Sequence, residues 1–172
     1  MVVVSADHGE EFGDHGHEYH AGQCFGESTR VPLILRAPRL APRVIDSPVA
    51  LIDVVPTLLD LLGDERGSDA LQGQSLLVPA LSPERLEPDR PIFCAVASQW
   101  NPPERFFRRS VRTSRFALLQ DVLEGSVLLY DEHDDPQETR DVGADPGNVE
   151  TRRALERFLS ESRSGNLGDR LP

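Results

Sequence analysis

Lysine is absent from this chain, which carries its positive charge on arginine alone. Aspartate and glutamate number 29 against 18 basic residues, so the net charge is −11. Nucleic-acid backbones and anionic membrane surfaces both attract basic patches on their protein partners. The charge balance therefore argues against nucleic acid or a membrane surface as the main partner.

Cysteine is scarce as well, with Cys24 and Cys94 as the only two. They show no Cys-x-x-Cys spacing, which argues against both a disulfide framework and a thiolate metal site. A bridge between them is compatible with the sequence, but we expect two free thiols in a reducing compartment.

Long apolar runs are also missing, and none is long enough to span a bilayer. The first four residues are apolar, but they lack the basic region and the cleavage site of a signal peptide. We therefore expect a soluble chain and favour the cytoplasm, while the compartment itself stays open.

What the chain has in excess is histidine near its start. The segment Ser5–His20 holds four of the five histidines among several aspartates and glutamates, directly after the apolar run Met1–Val4. Imidazole and carboxylate groups bind divalent metals and transfer protons near neutral pH. A surface loop has no structural need for such a density of these groups, so the segment predicts part of an active site.

The run Val2–Val4 predicts a buried parallel strand whose carboxyl end opens into this segment. Ligands of open α/β sheets bind beyond such strand ends, where Asp7 and His8 stand. A carboxylate with an imidazole suits Ca²⁺, Mn²⁺, Mg²⁺ or Zn²⁺, but two ligands do not hold an ion selectively. The alternative is that Asp7 caps a turn and His8 is an ordinary polar residue.

His15, His17 and His20 are candidates for general acid catalysis or for binding an anionic substrate. A protonated imidazole can donate a hydrogen bond to a sulfate or phosphate oxygen. The alternative is that they are exposed loop histidines without a function.

The remaining pattern predicts the α/β class. Residues 1–90 are expected to form a partial, mostly parallel sheet with helices, including a helix with Pro56 in its first turn and Gly63 at its end. Residues 91–163 are expected to form a small antiparallel sheet packed with a terminal helix, and residues 164–172 a flexible tail. The predicted elements of the second region are strands at Pro91–Ser98, Arg108–Arg112, Phe116–Val122 and Ser126–Tyr130, and a helix at Glu150–Ser162.

Several segments, in this order along the chain, resemble the sulfatases, a family of the alkaline-phosphatase-like superfamily. The matching segments are Ser5–Glu10, Gly13–Gly16, His20, Glu27–Leu33, Asp53–Gly63, Gln72–Leu77, Leu129–Asp131 and Asp135–Thr139. The resemblance implies the C-terminal part of an alkaline-phosphatase-like fold. It also implies an arylsulfatase-like parent enzyme that hydrolyses a small-molecule sulfate ester.

The resemblance implies a role for each matching residue of the motif. Asp7 and His8 would be ligands of the catalytic divalent ion, with Ca²⁺ as the first expectation and Mn²⁺ as the alternative. His20 matches the family's Lys or His that contacts the anionic oxygens of the substrate, and Arg30 is expected to anchor the segment by ion pairing. The Asp-His version is also similar to phosphonate and phosphodiester hydrolases of the superfamily.

One departure from the family concerns the nucleophile, a formylglycine, serine or threonine in a Cys/Ser-x-Pro-x-Arg motif. Neither Cys24 nor Cys94 fits that motif, and we find no nucleophile in this chain. The resemblance therefore implies a C-terminal portion that is inactive alone, binds metal weakly and lacks the N-terminal part where formylglycine is expected. The alternatives are a fragment of a phosphonate monoester or phosphodiester hydrolase, and a non-catalytic truncated remnant.

A sheet cut at its first strand would expose an unpaired edge and an apolar face. We therefore expect either self-association through that edge or disorder in the loop Gly9–Gly26.

Overall fold

The computed structural model describes residues 1–20, 22–38, 40–64, 71–77, 90–97 and 106–164. Its elements in chain order are β1 (Val2–Ser5), α1 (Gly26–Thr29), β2 (Leu33–Arg36), α2 (Val54–Leu62), β3 (Ile92–Ala97), β4 (Phe106–Arg112), β5 (Phe116–Asp121), β6 (Val127–Asp131) and α3 (Val149–Ser164). Short 3-10 helices lie at Asp14–Gly16, Leu51–Asp53 and Pro146–Asn148.

Contacts divide the chain into two compact units. The first unit consists of Met1–Asp7 and Pro32–Ile92, and the second of His8–Val31 and Phe93–Pro172. The histidine-rich segment thus groups, from His8 onward, with the C-terminal sheet. The predicted domain division at residue 90 stays a prediction.

The first unit corrects the expectation of a buried parallel strand at the N-terminus. β1 pairs antiparallel with β2, so that Val3 lies opposite Leu35 and Val4 opposite Ile34. Val3 and Leu35 face α2, whereas Val4 and Ile34 are 49% and 60% exposed. An apolar run does not reveal the direction of the neighbouring strand, because that direction depends on how the chain returns to it.

The same correction applies to the predicted mostly parallel sheet. The registers defined for the described strands, β1–β2, β4–β5 and β5–β6, are all antiparallel. The α/β class holds, since both units combine helix and sheet. Self-association through the exposed side of β1 and β2 stays a prediction.

Helix α2 confirms the predicted positions of Pro56 and Gly63. Pro56 is the third residue of α2, where a missing N–H interrupts no helical hydrogen bond. Gly63 ends the helix in the left-handed region at φ 69°, which glycine adopts without steric cost.

Asp53, fully buried at the start of α2, holds the segment around Gly73 against the helix. Its carboxylate accepts the N–H groups of Ala50 (2.8 Å) and Gln74 (3.0 Å) and pairs with Arg90. A Cβ atom at Gly73 would lie 2.1 Å from the Ile52 carbonyl oxygen, so this approach requires glycine.

The second unit is a four-stranded sheet in the order β3-β4-β5-β6. One face packs on α3 through a buried cluster of Val111, Leu118, Leu129, Val142, Leu155 and Leu159. On the other face, Phe25, which precedes α1, packs on Ala117, Leu119 and Tyr130. The predicted small sheet with a terminal helix is therefore confirmed, and both of its faces are covered.

The rest of the chain adds two facts. Among the described residues, no helix combines the length and apolarity that a bilayer crossing requires. The predicted tail at residues 164–172 lies, beyond Ser164, outside the described residues.

Candidate active-site segment

The segment 8–31 carries the candidate histidines. A buried ion cluster of Arg112, Glu132 and Glu138 holds it on the C-terminal sheet within the second unit. Arg112 pairs with both carboxylates, and its Nη2 donates to the Cys24 carbonyl at 2.7 Å. Arg112 is 8% exposed and Glu138 1%. Because a buried charge is tolerated only when it is paired, each member of the cluster requires the others.

Glu138 connects the buried ion cluster to the start of α1. Its Oε2 accepts the Gly26 N–H at 2.9 Å, and its own backbone is in the left-handed region at φ 54°. Burial raises the pKa of Glu138, but the hydrogen bond and charge of Arg112 outweigh burial and lower the pKa overall. The carboxylate is therefore kept ionised at the point where it holds the segment.

Arg30, at the other end of α1, pairs with Glu132 of the same cluster. The expectation that Arg30 anchors the segment by ion pairing is thus confirmed. Burial raises the pKa of Glu132, an effect that the nearby Arg112 and Arg30 charges oppose.

His15 lies inside this anchored region. Its Nδ1 is 2.7 Å from Glu27 Oε1, its Nε2 is 3.1 Å from the Glu138 carbonyl oxygen, and its ring stacks on Phe25 at 3.8 Å. Both partners only accept hydrogen bonds, so both ring nitrogens donate and the ring is an imidazolium. Burial lowers the pKa of His15, but the bonds to Glu27 and Glu138 outweigh it and raise the pKa overall.

This placement gives His15 a structural role, since both of its ring nitrogens are occupied by the protein. His17 is exposed, and its Nε2 lies 2.7 Å from the Gln23 side-chain nitrogen. Neither histidine is brought to His8 or His20 by the described contacts, and substrate binding by either stays a prediction.

His8, Glu10 and His20 form a second group, which we call the exposed histidine cluster. The rings of His8 and His20 stack with their centroids 4.1 Å apart and an interplanar angle of 19°. The Nδ1 of His20 donates to Glu10 Oε2 at 3.0 Å, and this hydrogen bond lowers the pKa of Glu10. Glu10 therefore fixes the ring orientation of His20.

The backbone around Gly9 explains why this cluster stays next to α1. The Gly9 N–H donates to the Ser28 carbonyl at 2.9 Å. A Cβ atom on Gly9 would lie 1.9 Å from the Glu27 carbonyl oxygen. Only glycine allows the two chain segments to approach this closely.

The predicted metal ligands Asp7 and His8 stand on either side of the division between the two units. The Nδ1 of His8 lies 2.8 Å from the Gly9 carbonyl and donates to it, so a neutral ring carries its lone pair on Nε2, the tautomer that a metal ligand needs. Within the described part of the chain, no group of three or more His, Cys, Asp or Glu side chains is arranged to hold a metal. The donors thus fit a divalent ion in kind but form an incomplete set.

Sequence reasoning missed Glu10, Arg112 and Glu138. Glu10 belongs to the motif itself, and its spacing from His20 in a glycine-rich loop could have suggested the contact. No local pattern marks Arg112 or Glu138, because their partners come from distant parts of the chain.

This arrangement is the C-terminal part of an alkaline-phosphatase-like sulfatase fold. Its features are the four-stranded sheet of the second unit, the paired strands β1 and β2 of the first unit, and the motif that follows β1. The family model described as "N-sulphoglucosamine sulphohydrolase, C-terminal" matches residues 13–165. The chain belongs to this family.

Two curated relatives and one solved structure illustrate the similarity. The "Uncharacterized sulfatase YidJ" of Escherichia coli is 36% identical over 76 residues, which cover 44% of this chain and 15% of the relative. The Delta 4,5-hexuronate-2-O-sulfatase of Bacteroides thetaiotaomicron is 26% identical over 95% of this chain and 35% of its own length. The phosphonate monoester hydrolase from Silicibacter pomeroyi superposes with a TM-score of 0.75 at 27% identity, covering 97% of this chain and 35% of that one. The chain therefore spans about a third or less of the length of these proteins.

Proposed function

We propose that this chain is the C-terminal part of a metal-dependent sulfuric ester hydrolase. In this proposal Asp7 and His8 contribute to a divalent-metal site, and His20 binds an anionic oxygen of the substrate. The observation that carries the proposal is the exposed histidine cluster, in a chain of the sulfatase family. The substrate class follows from relatives named as sulfatases, one of them acting on a sulfated hexuronate by its name.

The role of His20 rests on the way Glu10 holds its ring. One nitrogen of a protonated His20 donates to Glu10, and the other nitrogen can then donate to a sulfate oxygen. The His20 side chain is 47% exposed, so a ligand can reach it. A positioned donor of this kind stabilises negative charge that develops on the substrate during hydrolysis.

Asp7 and His8 would hold the ion as a carboxylate and a neutral imidazole. When bound, the divalent ion would stabilise charge on the ester oxygens. We propose Ca²⁺ as the ion, from the resemblance to sulfatases, and Mn²⁺ as the alternative, because a carboxylate with an imidazole suits either ion. With two of about six ligands, the isolated chain is expected to bind either ion only weakly.

This weak binding can be measured by titrating Ca²⁺ and Mn²⁺ into the purified chain in a calorimeter. We expect affinities weaker than micromolar and no turnover of an aryl sulfate, since the chain contains no Cys/Ser-x-Pro-x-Arg motif. Micromolar Ca²⁺ affinity that is lost in Asp7→Ala would contradict the incomplete metal site. Aryl sulfate hydrolysis by this chain would contradict the missing nucleophile.

A second candidate function is hydrolysis of a phosphonate monoester or phosphodiester. The similarity to the phosphonate monoester hydrolase favours it, together with the Asp-His pair at Asp7 and His8. Sulfate and phosphonate monoesters both present anionic oxygens that a cationic His20 can bind.

The coding sequence upstream of Met1 is the first discriminator between the proposals. A Cys-x-Pro-x-Arg motif there would support a formylglycine sulfatase, and an in-frame stop codon would support a non-catalytic remnant. The protein that includes this upstream part can then be assayed on an aryl sulfate and on an aryl phosphonate monoester. A higher kcat/KM on the sulfate supports the proposal, and the reverse order supports the second candidate.

The residue assignment is tested in the same protein with His20→Ala and the control His133→Ala. We expect His20→Ala to lower kcat/KM roughly 100-fold, the usual loss for one donor to developing negative charge. His133→Ala is expected to leave kcat/KM close to its original value, because His133 lies outside the motif and its side chain is 79% exposed beside Asp134. Equal effects of the two substitutions would show that His20 has no special role.

A further inference from the structure

Cys24 and Cys94 lie side by side in the second unit, although 70 residues separate them in the sequence (94 − 24). Both are free cysteines, and their thiols hydrogen-bond to each other. Cys24 is in the segment 8–31 and is 2% exposed, whereas Cys94 is in β3 and is partly exposed. The fold has therefore brought together the only two cysteines of the chain, one of them accessible from solvent.

The surroundings of the two thiols make them chemically different. The hydrogen bond from Cys24, opposed by burial and helped by the Arg112 charge, lowers the pKa of Cys94 to about 7. The same hydrogen bond, together with burial, raises the pKa of Cys24. Cys94 thus holds the reactive thiolate near neutral pH, and Cys24 holds a protonated thiol beside it.

We propose that Cys24 and Cys94 form a redox-active pair, a modification site that a low-molecular-weight disulfide such as oxidised glutathione converts into an intramolecular disulfide. The pairing of an accessible thiol with a buried neighbouring thiol carries this inference. It does not depend on the proposed hydrolase function.

The reaction proceeds by two thiol–disulfide exchanges. The Cys94 thiolate attacks one sulfur of oxidised glutathione, the glutathione S–S bond breaks, and one glutathione thiolate leaves. The Cys24 sulfur then attacks the Cys94 sulfur of the mixed disulfide, releases the second glutathione, and passes its proton to that leaving thiolate. The two cysteines lose two electrons, and one oxidised glutathione becomes two reduced ones.

The bridge would join the segment 8–31 covalently to β3. The same segment carries His8 and His20, and at Cys24 it is already held by the Arg112 hydrogen bond to the carbonyl oxygen. Oxidation would therefore reinforce an existing attachment of the exposed histidine cluster to the sheet.

The test incubates the whole chain with oxidised glutathione and follows free thiols and intact mass. We expect both thiols to be lost, no glutathione to be retained, and peptide mapping without reduction to show the Cys24–Cys94 bridge. The same chain unfolded in urea is the control, and there we expect glutathione adducts because the two thiols are no longer adjacent. A bridged chain should also unfold at a higher temperature than the reduced chain.

Two variants separate the roles of the cysteines. Cys24→Ser should retain one glutathione on Cys94, and Cys94→Ser should lose its remaining thiol roughly tenfold or more slowly because Cys24 is buried. The proposal is wrong if the folded wild-type chain keeps a stable glutathione adduct, links two chains together, or leaves both thiols unreacted while the unfolded chain reacts. Because these outcomes are read on the wild-type chain, a variant that fails to fold does not weaken the test.

Discussion

The tripeptide Asp-His-Gly occurs twice in this chain, at Asp7–Gly9 and at Asp14–Gly16, with opposite outcomes. In the first copy, His8 is exposed and stacks on the exposed ring of His20. In the second copy, His15 is enclosed by Glu27, Phe25 and the Glu138 carbonyl. An identical local sequence thus contributes to a candidate active site in one place and to the supporting structure in the other.

His15 and His20 sharpen this contrast, because each directs Nδ1 at a glutamate carboxylate. The distances are similar, 2.7 Å to Glu27 and 3.0 Å to Glu10, but the histidine side chains are 18% and 47% exposed. The difference lies in the second nitrogen, which in His15 is bound to the Glu138 carbonyl. A candidate ligand-binding histidine is therefore better recognised by what its second nitrogen contacts than by its sequence neighbours.

The largest expected effect comes from removing Arg112, the centre of the buried ion cluster that holds the segment 8–31. Arg112→Met should destabilise the chain by about 3–5 kcal/mol, since it leaves the buried Glu138 carboxylate without its counter-charge and Glu132 with Arg30 alone.

Arg152→Met is the matched control, because Arg152 pairs with Glu156 within α3, where the two side chains are 32% and 39% exposed, and this pair should matter little. Urea unfolding followed by circular dichroism measures both variants, and equal losses would show that the buried ion cluster does not anchor the segment.

The next largest effect is expected at the glycine of the first copy. Gly9→Ala should cost about 1–3 kcal/mol, because its Cβ atom would overlap the Glu27 carbonyl oxygen and force the backbone apart. Gly147→Ala is the control, since no atom lies within 4 Å of a Cβ at that position. If the two glycine variants unfold at the same urea concentration, the close approach at Gly9 is not a requirement of the fold.

A smaller, pH-dependent effect is expected at His15. His15→Phe keeps an aromatic ring beside Phe25 but loses both hydrogen bonds, at a cost of about 1–2 kcal/mol. The folded-state pKa of His15 is raised above its ordinary value of 6.5, so its stabilisation is fully present below pH 6.5 and is lost as the pH rises through the folded-state pKa. The stability difference between the two chains, measured by urea unfolding across this range, should shrink with rising pH; a difference that grows would overturn the imidazolium assignment.

The smallest effect on stability is expected at His20. His20→Ala should leave the urea midpoint unchanged within measurement error, because the ring is largely exposed and its partner Glu10 is at the surface. His15→Ala, measured in parallel, should lower the midpoint. A loss at His20 as large as that at His15 would assign His20 to the structure rather than to ligand binding.

Local patterns predicted much of the fold. The positions of Pro56 and Gly63 in and after α2 follow from what each residue does to backbone hydrogen bonding, and the structure confirms both. Strands β5 and β6 and helix α3 lie within two residues of their predicted bounds, because alternating and helical apolar patterns act over a few neighbouring residues. The prediction that β1 is a parallel strand was wrong, because the direction of pairing depends on β2, which lies about 30 residues further along the chain.

Within the candidate site, the resemblance of the motif to sulfatases marked Asp7, His8 and His20 as a group. Residue types and spacing alone could not separate His15 from His20, because the atoms that occupy the second nitrogen of His15 belong to Glu138, 123 residues further along the chain. Arg112 and Glu138 carry no local sign of their burial either, since a charged residue in a strand or a turn is usually exposed.

The amino-acid sequence by itself determined the family, the main helices and strands of the C-terminal unit, and the concentration of histidine after the first strand. These depend on residue types and short spacings, which the chain carries before it folds. Only the tertiary structure decided which histidine has both ring nitrogens bound by the protein, which glutamate holds His20, and that Cys24 and Cys94 lie together. Each of these depends on contacts between residues far apart in the sequence, and such contacts exist only once the sheet and the segment 8–31 have packed.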